Sequence, residues 1–172
     1  MMYRAFTLIE IITVLFITAL SLYSFSTVFF RIQDHVIIQS EIDNLKSFIY
    51  QIRTKARYSK QNYSISINQD EIKKNWCVIA VLKLDDKQVS CDCFNHILCK
   101  NNEYYLYEPY YRDLKLNSNS LYPKVFTNID GYSDRLNAKC LGIVLNNKQE
   151  VLQFNQNGAI NVIQKNKKSS CR

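Results

Sequence analysis

The chain changes its rule for placing apolar residues twice. From Phe6 to Phe30 it is apolar throughout: FTLIEIITVLFITALSLYSFSTVFF holds no Lys, Arg, Asp, Gly or Pro and a single acid, Glu10. As a helix this run is roughly 37 Å long, enough to cross a bilayer core of about 30 Å with some tilt. Beyond it apolar residues recur every three or four positions, at Ile32, Val36, Ile38, Ile42, Leu45, Ile49, Ile52 and Ala56. Asp34, Glu41, Asp43, Lys46, Arg53, Lys55 and Arg57 read as falling on other faces. No Gly or Pro lies between Arg31 and Tyr63. The spacing therefore predicts one helix from Phe6 to about Tyr58, the alternative being two helices broken near Arg31.

From Tyr63 the period becomes two. Tyr63 to Ile67 alternates, Trp76 to Leu84 reads as a buried strand, and Asp85-Asp86-Lys87 as a turn. Tyr104 to Tyr107 predicts a short strand inside a Tyr- and Asn-rich stretch, 101–136, that is otherwise hard to parse. Leu141 to Leu145, Glu150 to Phe154 and Ala159 to Ile163 predict three strands, joined by turns at Asn146-Asn147-Lys148 and Asn155 to Gly158. The expectation is α+β: an antiparallel meander against one helix.

The apolar run has two membrane readings. A cleaved secretory signal would have an apolar region of about 7 to 15 residues and then a small-x-small site. This run is longer and ends in Val28-Phe29-Phe30-Arg31, so an uncleaved anchor is expected. Glu10 is its anomaly, because a carboxylate inside a membrane span is costly and marks function by default.

Composition narrows the function classes. The three glycines, Gly131, Gly142 and Gly158, are too far apart for a dinucleotide-binding or phosphate-binding glycine loop. His35 and His96 cannot form an H-E-x-x-H zinc helix. With no carboxylate pair or activated nucleophile standing out, an enzyme is not expected, nor a cofactor or a resident metal.

The residues Ala5-Phe6-Thr7-Leu8-Ile9-Glu10, heading a long apolar helix, resemble the N-terminal signature of type IV pilins and type II secretion pseudopilins. The resemblance implies a leader of residues 1–5, cut between Ala5 and Phe6 by a prepilin peptidase. It also implies N-methylation of Phe6, and a Glu10 that pairs with a neighbouring subunit's amino terminus during assembly. Ala5 stands where the family most often has Gly. Thr27 stands where major pilins commonly have a helix-kinking Pro, which points to a minor pilin.

Further along, Glu150 to Gly158 is similar to the closing strand and turn of FimT/GspH-type minor pilins and pseudopilins. Trp76-Cys77 with Cys91-Asp92-Cys93 is similar to a pattern met in the same group. The implied fold is a pilin fold: leader 1–5, transmembrane half-helix 6–30, amphipathic half-helix 31–60 and a β-rich periplasmic head 61–172. The implied function is structural, a tip subunit that primes or caps a pilus anchored in the inner membrane. Its implied partners are other minor and major pilins or pseudopilins, the peptidase and the inner-membrane assembly platform. A type II secretion pseudopilin is the alternative on the same scaffold, as is a DNA-binding minor pilin for DNA uptake.

All six cysteines, Cys77, Cys91, Cys93, Cys99, Cys140 and Cys171, follow the anchor. In an oxidising compartment they predict disulfides. The expected set is Cys140 with Cys171, plus a local cluster in which Cys77 joins Cys91 and Cys93 joins Cys99. The competing reading is zinc, since Cys91, Cys93, His96 and Cys99 offer a ligand set that structural zinc sites use, at a spacing unlike the standard motifs.

The formal charge is +7, and removing Arg4 and Glu10 leaves it unchanged on the rest of the chain. It is densest at Lys165, Lys167, Lys168 and Arg172, an expected phosphate-binding tail if DNA is a partner. The positions after Gly158, where the resemblance puts the family's Arg-containing DNA-binding loop, are Ala159, Ile160 and Asn161, with no Arg. Tyr104, Tyr105, Tyr107, Tyr110 and Tyr111 could stack bases, or fill a half-buried strand and its loop.

Overall fold

The computed structural model describes residues 7–84, 89–99, 102–133, 135–146 and 148–164. It divides into two compact units, Met1–Val36 and Ile37–Arg172. One helix, α1, runs Leu8–Ser59, so no break occurs near Arg31.

In the first unit the helix starts on Thr7. Its carbonyl and hydroxyl both accept from the Glu10 amide, at 3.1 and 3.4 Å. That is an N-cap with an acid at the third helical position, the pattern that satisfies orphan donors at a helix start. Every residue described from Leu8 to Phe25 is exposed.

The second unit contains α1 from Ile37 onward and eight strands. They are β1 Tyr63–Asp70, β2 Asn75–Leu82, β3 Tyr104–Tyr107, β4 Lys115–Asn117, β5 Val125–Ile129, β6 Lys139–Leu145, β7 Lys148–Phe154 and β8 Ile160–Gln164. They form two antiparallel sheets, ordered β3-β2-β1-β5 and β4-β6-β7-β8. The fold is α+β as expected, with two four-stranded sheets where one meander was expected.

The helix stripe that meets the sheets is Ile38, Ile42, Leu45, Ile49, Ile52 and Ala56, all buried. Ile32 and Val36, which the periodicity assigned to the same stripe, are each 57% exposed. Against the stripe the first sheet sets Tyr63, Ile65, Ile67, Trp76, Val78 and Ala80, and the second sets Leu141, Ile143, Leu152 and Phe154. Phe126 on β5 meets Phe154 on β7 edge to face, with centroids 5.2 Å apart, and so joins the two sheets inside one core.

Glu41 departs from its expected place, for it is fully buried. It lies three residues after Ile38 and four before Leu45, hence on the buried face. There its carboxylate accepts from the Tyr107 hydroxyl on β3, and from the Tyr111 amide at 3.4 Å. Burial first, and then the Glu41 carboxylate, push the Tyr107 phenol far above its ordinary value of 10.0. A raised phenol favours the folded state while it stays protonated. That contribution is complete below the ordinary value and is lost as the pH rises past it.

Replacing Tyr107 by Phe is expected to cost about 2 kcal/mol, because it strands a buried carboxylate on one long hydrogen bond. Converting Glu41 to Gln as well should restore part of that loss, and the Phe variant should lose less stability than the wild type above about pH 10. Denaturant midpoints at neutral and alkaline pH measure all three. Equal stability of wild type and Tyr107→Phe at neutral pH would show that the bond contributes nothing.

Candidate functional site: an exposed apolar helix and a doubly stapled head

Between Leu8 and Phe25 the helix has a mean hydropathy of 2.1, none of it buried, and is long and apolar enough to cross a membrane. Its Ser and Thr hydroxyls are turned inward. Thr13, Thr18, Ser21 and Ser24 donate to the carbonyls of Glu10, Leu15, Ile17 and Leu20 at 2.9 to 3.0 Å. A helix facing lipid must satisfy its polar groups within itself, and these do. What remains is Glu10, the only charged side chain in the span. It is exposed, and no described residue bonds to its carboxylate. In a low-dielectric setting such a group requires an ammonium or another strong donor. The cleavage and methylation positions, Ala5 and Phe6, lie outside the described residues.

Cys77, Cys91, Cys93 and Cys99 sit on the opposite face of the first sheet from α1. Side chains alternate along β2. Trp76, Val78, Ala80 and Leu82 enter the main core, while Cys77, Ile79 and Val81 point the other way into a second cluster. Cys91, Cys93 and Cys99 complete that cluster, with Val89, Tyr104 and Leu106 against it. The segment carrying them ends in a 3-10 turn, His96–Cys99. It is a lid that hides the far side of β2, which is why β2 is buried on both faces. Asp92 ties it down by accepting from the Asn68 side-chain amide at 2.8 Å.

Two disulfides hold this lid, and they correct the expected pairing. Cys77 bonds Cys93 and Cys91 bonds Cys99, instead of Cys77 with Cys91 and Cys93 with Cys99. Cα separations of 5.9 and 6.2 Å lie in the usual disulfide range. Cys77 stands opposite Asn68, and Asn68 binds Asp92, so the Cys91-Asp92-Cys93 segment is brought over β2 beside Cys77. These bonds also consume the three thiols of the zinc reading. Cys140, on β6, is disulfide-bonded as well. Its expected partner, Cys171, lies outside the described residues, as do Lys165, Lys167, Lys168 and Arg172.

The tyrosine cluster divides by strand face. Tyr105 and Tyr107 lean on the main core and Tyr104 on the cysteine cluster. Tyr111 packs on the main core beside Tyr110, which is 81% exposed. Four of the five candidates for base stacking are thus occupied in packing. On β3 the Lys55 ammonium lies 4.4 Å from the Tyr105 ring centroid and pairs with Glu103, which pins the end of α1 to the sheet edge.

An N-terminal apolar helix followed by a helix-backed antiparallel head fits a pilin-like architecture. An uncharacterized protein of Haemophilus influenzae (strain Rd KW20) is 27% identical to the chain over 173 residues, covering 99% of each. No family model and no solved structure matches the chain.

Proposed function

We propose that the chain is a minor type IV pilin or pseudopilin of the FimT/GspH type. In this reading the leader is cut between Ala5 and Phe6, the apolar helix holds the subunit in the inner membrane, and the head lies in the periplasm. Glu10 then recruits the amino terminus of a neighbouring subunit's Phe6, and the subunit primes or caps the filament with the other pilins. The observation that carries the reading is a fully exposed apolar span, self-satisfied in its Ser and Thr hydroxyls, whose single charge is a carboxylate in its first turn. Buried between helices, that carboxylate is stable only when it meets an ammonium, which fixes the register of docking. The disulfide-held lid suits an oxidising compartment.

The full chain co-expressed with a prepilin peptidase should lose Met1 to Ala5 and gain one methyl group on Phe6 by intact mass. Glu10→Ala should still be cut, yet fail to co-purify with its filament partners. Retention of Met1 to Ala5 under conditions in which a control prepilin is processed would sink the reading.

A further inference from the structure

Two clefts lie side by side in the second unit, of about 350 and 410 Å³. They share Ser120 and Lys139. The first lies on the outer face of the second sheet, over Cys140 and Gly142 of β6; the second opens toward β5, with Lys124, Asn128 and Asn137 in its wall. Among the described residues, no carboxylate and no aromatic ring lines either one.

Lys139 is half-buried, and its ammonium donates at 2.7 Å to the hydroxyl of Ser120, itself only 6% exposed. A hydroxyl satisfies one of three N–H groups and none of the charge. Partial burial of an uncompensated cation is costly, and the cost falls when an anion enters beside it. Lys124 supplies a second positive charge to the same cleft. Asn128 adds donors: its side-chain oxygen is already taken by the Ser64 hydroxyl at 3.0 Å, which leaves its amide N–H groups for the cleft. A wall of ammonium and amide donors without carboxylates matches a ligand that only accepts hydrogen bonds and carries negative charge.

We infer that the cleft shared by Ser120 and Lys139 binds a phosphate or sulfate group, with Lys139 and Lys124 meeting its charge and Asn128 one of its oxygens. The residues named for this site are other than Lys165, Lys167, Lys168 and Arg172, and their chemistry does not depend on the pilin reading. The group could be a free ion, a sulfate ester on a sugar or a phosphodiester, and the chemistry of the contact is the same.

Isothermal titration of the full-length chain in detergent micelles tests it, with inorganic phosphate, inorganic sulfate, a sulfated disaccharide and a short single-stranded oligonucleotide as separate probes. Saturable binding of at least one probe is expected. Lys139→Gln and Lys124→Gln should each weaken it about tenfold, while Lys139→Arg keeps most of it. Lys73→Gln, an exposed lysine on the turn after β1, should change nothing. Unchanged circular dichroism and unfolding midpoint in the Gln variants exclude misfolding as the cause. The tightest probe identifies the source: a free ion, a sulfated sugar or a phosphodiester. Failure of every probe to saturate, or equal losses in Lys73→Gln and Lys139→Gln, would overturn the site.

Discussion

A chain in which Cys77, Cys91, Cys93 and Cys99 are all serine is expected to lose about 5 kcal/mol of head stability, a large fraction of what a domain this size possesses. The two bonds close loops with sequence separations of 16 and 8 residues. Chain entropy alone puts these near 3 and 2.5 kcal/mol respectively. The loops overlap, so the sum is an upper figure for that part. Packing adds to it, since the lid that covers Ile79 and Val81 has few other ties to the sheet. Serine variants serve better than reductant, because reductant would also open the bond at Cys140. Chemical denaturation of the full chain measures the loss, and an environment-sensitive dye should bind the uncovered face of β2. The Cys77→Ser/Cys93→Ser pair should cost more than Cys91→Ser/Cys99→Ser, which closes the shorter loop. A quadruple variant within 1 kcal/mol of wild type would mean that the lid holds by packing alone.

How much of this was legible in sequence depends on whether the signal was local. The unbroken apolar run, the helix to Ser59 and strands β1, β2, β3, β6, β7 and β8 all follow from periodicity and from the scarcity of Gly and Pro. β4 and β5 carry no such signal. β4 is three residues long, and β5 departs from simple alternation at its pairing with Ser66, where the register slips. Their absence also hid the division into two sheets, because these strands lie at the two sheet edges. The spacing of Glu41 from Ile38 and Leu45 puts it on the buried face, whereas its charge argues for an exposed one. What makes its burial tolerable is Tyr107, which is 66 residues away and reaches it only in the fold. The disulfide partners are unreadable for the same reason, since Cys77 meets the Cys91–Cys99 segment only in the fold, where Asn68 on β1 holds Asp92. The cleft around Lys139 gathers residues from segments 90, 120–128 and 137–139, which no linear motif announces. The Thr7 cap was open to reading, as Thr-x-x-Glu before an apolar helix is a recognised start signal.

Replacing Gly131 by Ala is expected to destabilise the head by about 3 kcal/mol or more, an unusual cost for adding one methyl group. A β-carbon there would stand 2.4 Å from the Gln61 carbonyl oxygen, 2.5 Å from that of Ala56 and 2.7 Å from the Gln61 amide nitrogen. All three are backbone atoms at the end of α1, so no side-chain rotation relieves the clash. They are fixed in turn by the way the helix stops. Lys60 takes a left-handed conformation at φ 57, and the Gln61 amide returns to the Ala56 carbonyl at 3.1 Å, a helix end of the Schellman type. Gly131 is pressed against this end by its own amide, which donates to the Asn62 side chain at 3.0 Å, and by the turn that contains it. In that turn Asp130 accepts from the Ser133 hydroxyl and the Tyr132 amide, which with other nearby groups lower its carboxyl below the ordinary carboxylate value. To admit a methyl group the segment after β5 must lift away from the helix end, giving up the Asn62 bond and loosening Ala56 in the core. The relevant measurement is the denaturant midpoint of Gly131→Ala beside Gly142→Ala, whose added carbon would chiefly meet the movable end of Gln149. Gly142→Ala should cost about 1 kcal/mol, and equal costs at the two sites would contradict the close backbone approach.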